Sequence, residues 1–132
     1  MSDAGLASTI VFDDVLAAND AFYEAHEQRD LAAMSSVWEH SDRVVCIHPG
    51  WSILRTWPAV EDSWRRIFSG PGRNQFIVTN LSTGGGTDVA WVTLDENLMQ
   101  GSATGTVAAT NMFALGDGGW KMILHHGSPV MG

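Results

Sequence analysis

Apolar positions recur at helical spacing from Thr9 to Gln28. Phe12, Val15, Leu16, Asn19, Phe22, Tyr23 and His26 fall on one face there, which predicts a first helix. Asp13 and Asp14 lie near its start, where the helix dipole favours negative charge. Asp30 is placed to cap a second helix from Leu31 to about Glu39, with Leu31, Met34, Val37 and Trp38 turned inward. Val44-Val45-Cys46-Ile47-His48 reads as a buried strand, broken at once by Pro49-Gly50. Pro58 opens a third helix ending near Ser69, with Val60, Trp64, Ile67 and Phe68 as its apolar stripe.

Beyond Gly70-Pro71-Gly72 the period changes from helix to strand. Strands are predicted at Gln75–Ser82, Val89–Gln100, Thr104–Leu115 and Trp120–Gly127, with residues 1–8 and 128–132 as tails. Gly116-Asp117-Gly118-Gly119 is a hairpin turn. The glycines of Thr83–Asp88 lack the Lys-Ser/Thr and the helix that a phosphate loop requires. Helices first, then an antiparallel meander, make an α+β fold with helices on one face of a sheet.

Strand alternation says which side chains can meet. In the last strand Trp120, Met122, Leu124 and His126 form the larger apolar set, so His126 is expected inward and His125 outward. In the strand before it Val107, Ala109, Asn111, Phe113 and Leu115 share the inner face. The Val89–Gln100 strand is ambiguous. Val89, Trp91, Thr93, Asp95 and Asn97 lie on one side and Ala90, Val92, Leu94, Glu96 and Leu98 on the other, one set serving a subunit interface.

Composition narrows the function classes. The chain of 132 residues suits a single domain, 1–132, with a core of its own. A net charge of −8 with 7 Lys+Arg argues against nucleic acid and against an anionic membrane as partners. The single cysteine precludes an internal disulfide and fits a cytoplasmic location. No apolar run reaches membrane-spanning length, and the N-terminus lacks the basic start of a signal peptide. Six tryptophans serve either as core or as the aromatic walls of a ligand pocket.

The candidate chemistry centres on His48, pinned at a strand end, with Trp51 as an adjacent wall. His48, His126 and Asn111 are expected to converge as an acid/base pair with an orienting amide, with Tyr23 or His26 reaching in. Tyr23, Trp51, Trp64, Trp91, Phe113 and Glu96 are the candidate ligand-binding residues. Each histidine has a plainer reading as a buried neutral imidazole. A metal set of His48 and His126 with Glu96 or Asp95 is weaker, because the adjacent rings of His125 and His126 point to opposite faces. A Cys46–His48 nucleophilic pair is conceivable. A small buried thiol explains Cys46 more simply.

Several segments together resemble the nuclear transport factor 2-like superfamily, SnoaL-like group. They are Ala21-Phe22-Tyr23, Arg29-Asp30-Leu31, Trp38, Val45–Gly50, Trp57–Trp64, Asp88–Thr93 and Gly118–Pro129. The resemblance implies a cone-shaped roll of three helices on a curved antiparallel sheet around an apolar pocket, dimeric through the sheet. In ketosteroid isomerase, a relative by this resemblance, an aspartate before a proline is the base at the strand end. Here that position is His48. The isomerase's oxyanion tyrosine matches Phe22, which cannot donate a hydrogen bond, while Tyr23 lies about 100° round the helix. The expected function is cofactor-free acid/base catalysis on a hydrophobic or aromatic small molecule, as an isomerase, cyclase, dehydratase or hydrolase. The alternative is a non-catalytic ligand-binding or association module.

Overall fold

The computed structural model describes residues 2–72, 75–100 and 103–131, with side chains from residue 12 onward except at 100 and 103. The chain runs α1 (Ser2–Gln28), α2 (Leu31–Val37), β1 (Val45–Ile47), β2 (Leu54–Arg55), α3 (Trp57–Ser69), β3 (Gln75–Gly85), β4 (Val89–Gln100), β5 (Ala103–Gly116) and β6 (Gly119–Pro129). The first helix thus starts at Ser2 rather than Thr9, and Asp13 and Asp14 lie within it. Asp30 caps α2 as its sequence position predicts, its carboxylate accepting from Ala33 N at 3.0 Å.

The six strands form one curved, unclosed sheet in the order β2-β1-β6-β5-β4-β3. All neighbours are antiparallel except β1 and β6. That parallel pairing sets Val45, Cys46 and Ile47 beside Leu124, His125 and His126. The chain leaves β1 sharply: Gly50 has φ 83°, and Trp51 N donates to His48 O at 2.9 Å. His48 is therefore held at a closed turn.

The helices cover one face of the sheet, and the core lies between. Ala90, Val92, Leu94 and Glu96 of β4 are buried, which resolves the ambiguous strand. Val107, Ala109, Asn111 and Phe113 of β5 face the same way, whereas Leu115, at the strand's end, is exposed. Phe22, Met34, Trp38, Val60 and Trp64 fill the space from the helical side.

The last strand departs from simple alternation. Met112 pairs with Leu124 and Phe113 with Met122, so Ile123 is an extra residue with no opposite number. This bulge shifts the phase of everything after it. Met122 is buried, but so are His125 and Gly127, while His126 is exposed. The expectation that His126 points inward and His125 outward is thereby reversed. Alternation counted onward from Trp120 carries the phase straight through a residue that breaks it.

Candidate functional site

His48 is 4% exposed and packs at 4.8 Å from the Trp51 ring and 4.7 Å from the Trp64 ring, both edge-on. Its Nε2 lies 2.9 Å from Ser63 Oγ. Ser63 has already committed its hydroxyl proton to Val60 O at 2.6 Å. Nε2 therefore carries the proton and donates to Ser63. Cys46 Sγ sits 3.6 Å and 3.9 Å from the two ring nitrogens, against the ring between them rather than in line with one. Burial pushes the thiol well above its usual range, so it is no thiolate nucleophile. His48 itself is held down to about 4, by burial first and then by repulsion from His26 and Arg66.

A second cluster joins α1 to the sheet. His125 Nδ1 is 2.6 Å from Asn111 Oδ1, its pair across β5 and β6. Asn111 Nδ2 donates to Asn19 Oδ1 at 2.8 Å and to the Tyr23 hydroxyl at 3.1 Å. Tyr23 donates to Glu96 Oε2 at 2.6 Å. Every donor in this chain points the same way, from His125 through Asn111 and Tyr23 to Glu96. Because Asn111 Oδ1 is an acceptor, Nδ1 of His125 bears the proton and Nε2 keeps its lone pair. Among the described residues nothing hydrogen-bonds to that Nε2.

The two clusters meet around Trp64. The rings of His48 and His125 are 6.4 Å apart, and Phe22 lies 4.7 Å from His125. His26 sits in a cage of Phe76 at 4.6 Å, Trp64 at 5.0 Å and Phe68 at 6.1 Å. Burial drives His26 down to about 4, and it drives His125 well below its usual value, with His48, His26 and His126 adding repulsion. Glu96 moves the other way, to about 7, because burial disfavours its carboxylate more than the Tyr23 hydrogen bond favours it. Tyr23 is raised far out of range by burial and by Glu96. The titratable side chains His125, His48, Glu96 and Tyr23 each keep 3–6% of their surface in reach of water, while Phe22, Trp64 and Asn111 keep none.

Among the sequence-derived candidates, His48, Asn111, Tyr23, Glu96, Trp51 and Trp64 are brought together. His126, Trp91 and Phe113 are not part of this constellation. His126 and the 44%-exposed Trp91 lie on the outer sheet face. Phe113 is wholly buried in the core opposite Met122. No cluster of three metal-ligating side chains occurs among the described residues. Three functional candidates escaped the sequence reading: His125, hidden by the bulge, Ser63, and Asn19 as a hydrogen-bonding group. Ser63 had a signal, being three residues from Val60 and four from Ile67, on the apolar stripe. Two hollows open at the surface. One of about 410 Å³ lies on the outer sheet face between Asn80, Asp95, Thr110 and His126. Another, of about 540 Å³, lies between α1, α2 and β6. No helix is long and apolar enough to cross a membrane among the described residues.

Residues 15–132 match the sequence profile of the SnoaL-like domain. The F-box protein SKIP8 of Arabidopsis thaliana is 32% identical over 117 residues, which are 89% of this chain. The chain spans about half, 50%, of that relative's length. A candidate dehydratase of the nuclear transport factor 2-like family from Streptomyces avermitilis superposes with a TM-score of 0.86. It is 32% identical, over 94% of this chain and 99% of its own. A candidate calcium/calmodulin-dependent protein kinase type II association domain from Thiobacillus denitrificans reaches 0.81 at 38% identity. There the alignment covers 87% of this chain and 94% of the other.

Proposed function

Since the chain belongs to the SnoaL-like domain family, we propose that it is a small acid/base enzyme acting on a hydrophobic or aromatic ligand without a cofactor. The reaction class is dehydration, isomerisation, cyclisation or hydrolysis, each of which needs a proton taken from one atom and given to another. The likeness to a candidate dehydratase, 32% identical along nearly the whole chain, supports this class. One observation carries the reading: Asn111 Oδ1 accepts from His125 Nδ1 across 2.6 Å, which leaves Nε2 bare. A buried imidazole in this tautomer, with its lone pair uncommitted, is the arrangement a general base requires. Asn111 orients it. Trp51, Trp64 and Phe22 pack apolar rings around the two imidazoles, and His48 is anchored there on Ser63.

Turnover of a panel of hydroxylated cyclic ketones by purified variants tests this. His125→Gln is expected to lose at least about 10²-fold in kcat, the usual worth of a positioned acid/base group. His126→Gln is expected to keep wild-type turnover. Full activity in His125→Gln would remove the base from the proposal.

A second reading has its own support. Ile77, Trp91 and Met99 are each exposed on the outer sheet face, Trp91 at the opposite end from the other two, and one relative, 38% identical, is a candidate association domain. Self-association through that face, most simply as a homodimer, is compatible with catalysis inside. It would stand alone as the function if no panel compound were turned over. Light scattering of the wild type against Trp91→Glu checks it, the variant being expected to dissociate.

A further inference from the structure

The chain His125–Asn111–Tyr23–Glu96 can run in either direction, and its last member decides which. With Glu96 ionised, the carboxylate only accepts, so Tyr23 donates to it, Asn111 Nδ2 donates to Tyr23, and Asn111 Oδ1 takes the proton of His125 Nδ1. With Glu96 protonated, its hydroxyl can donate to Tyr23. Tyr23 then has its own proton to give and must find an acceptor at Asn111. An amide keeps its outline when its oxygen and nitrogen exchange places. Turned over, Asn111 offers Oδ1 to Tyr23 and Nδ2 to His125. Asn19, 2.8 Å away, turns with it, so that its Nδ2 donates to Asn111 Oδ1. His125 Nδ1 is then an acceptor, and the ring proton sits on Nε2. His125 holds one proton in both states, and the only proton added is on Glu96.

We infer that Glu96 is a positioning residue that sets, through Tyr23 and Asn111, which nitrogen of His125 carries the proton. This rests on His125 as the group that handles the proton in the proposed reaction. With Glu96 ionised, His125 presents a bare Nε2, which is a base. With Glu96 protonated, it presents Nε2–H, which is a hydrogen-bond donor. The same side chain thus meets a ligand as acceptor or as donor without becoming charged. Burial supports the switching range, because it holds Glu96 near 7 while keeping His125 neutral. The charged and titratable groups facing His125 are His26 from α1, His48 just past the end of β1 and its neighbour His126. Each of them acts on whether the ring is charged, not on which nitrogen is protonated. Phe22 and Trp64, which pack on its ring, carry no charge. Glu96 is flanked in the sheet by Val78 and Val107, so Tyr23 is its one described polar partner.

The tautomer can be read directly, without a substrate, from the ring-nitrogen signals of isotope-labelled protein by NMR, with His125 assigned from the loss of its signals in His125→Gln. The expected result is a bare Nε2 at about pH 9 and a protonated Nε2 at about pH 5.5, with a midpoint near 7 and no imidazolium signature. Glu96→Gln should hold a single tautomer across that range, and so should Tyr23→Phe, which cuts the chain one link earlier. A wild-type tautomer that does not change between those limits would overturn the inference. So would a change that survives with the same midpoint in whichever of the two variants folds. Turnover by His125→Gln addresses the proposed reaction separately, so the failure of one is distinguishable from the failure of the other.

Discussion

At the scale of single residues, most buried polar side chains are committed to a partner, as interiors require, the indole N–H groups of Trp38 and Trp64 excepted. Ser63 shows what commitment is worth. It accepts from His48 Nε2 while donating to Val60 O, so its removal strands a buried imidazole N–H. Ser63→Ala is expected to cost about 1–3 kcal/mol in urea unfolding, the usual penalty for an unpaired buried donor. A loss near zero would mean that His48 is satisfied elsewhere. The residue scale is also where sequence reading did best and worst. His48, Asn111, Tyr23 and Glu96 could be chosen because a polar residue inside an apolar pattern is conspicuous. Ser63 was less conspicuous, since a serine on a helix stripe reads as neutral spacing. No residue-type argument could separate His125 from His126.

At the scale of elements, that separation comes from one residue of register. Trp120 and Met122 set a phase, Ile123 is inserted at the bulge, and the two histidines exchange faces. Periodicity is a statement about regular strands, so it fails at the irregular place that aims the side chain. The helices were legible because the stripe Val60–Trp64–Phe68 and the cap Asp30 are local signals. The facing of β4 was not, because both of its faces carry apolar residues, and only pairing with β5 settles it. The β3–β4 hairpin offers a test at this scale. Gly85 has φ 134°, and an added Cβ would come within 2.5 Å of Ala90 Cα and Val89 O. Gly85→Ala should destabilise by at least about 1–3 kcal/mol through backbone strain. Gly86→Ala, with nothing within 4 Å, should be close to neutral in the same thermal melt.

At the scale of the whole molecule, the buried histidines tie stability to pH. His48 titrates near 6.5 in the unfolded chain but only near 4 when folded. The unfolded state therefore binds the extra proton between those values. This contribution is complete above 6.5 and is lost as pH falls towards 4, and for His48 it is about 3 kcal/mol. His26 and His125 shift in the same direction. Glu96 opposes them: its folded value near 7 against 4.5 gives stability below 4.5 that is lost as pH rises through 7. Three groups outweigh one, so urea midpoints should climb from about pH 4.5 to 6.5. A flat or falling profile would show that these imidazoles are not held neutral. The α+β layout, helices packed on one face of a sheet, was readable from the order of periodicities, and the sheet's curvature from the family resemblance.

The bulge in β6 turns His125 into the molecule and His126 out of it. Histidine acylation by diethyl pyrocarbonate, located residue by residue by tandem mass spectrometry in dilute native protein, tests this most directly. His126 is expected to label at the rate of an exposed histidine, and His125 only on unfolding. Labelling of His125 ahead of His126 would mean that the strand does not exchange their faces at Ile123.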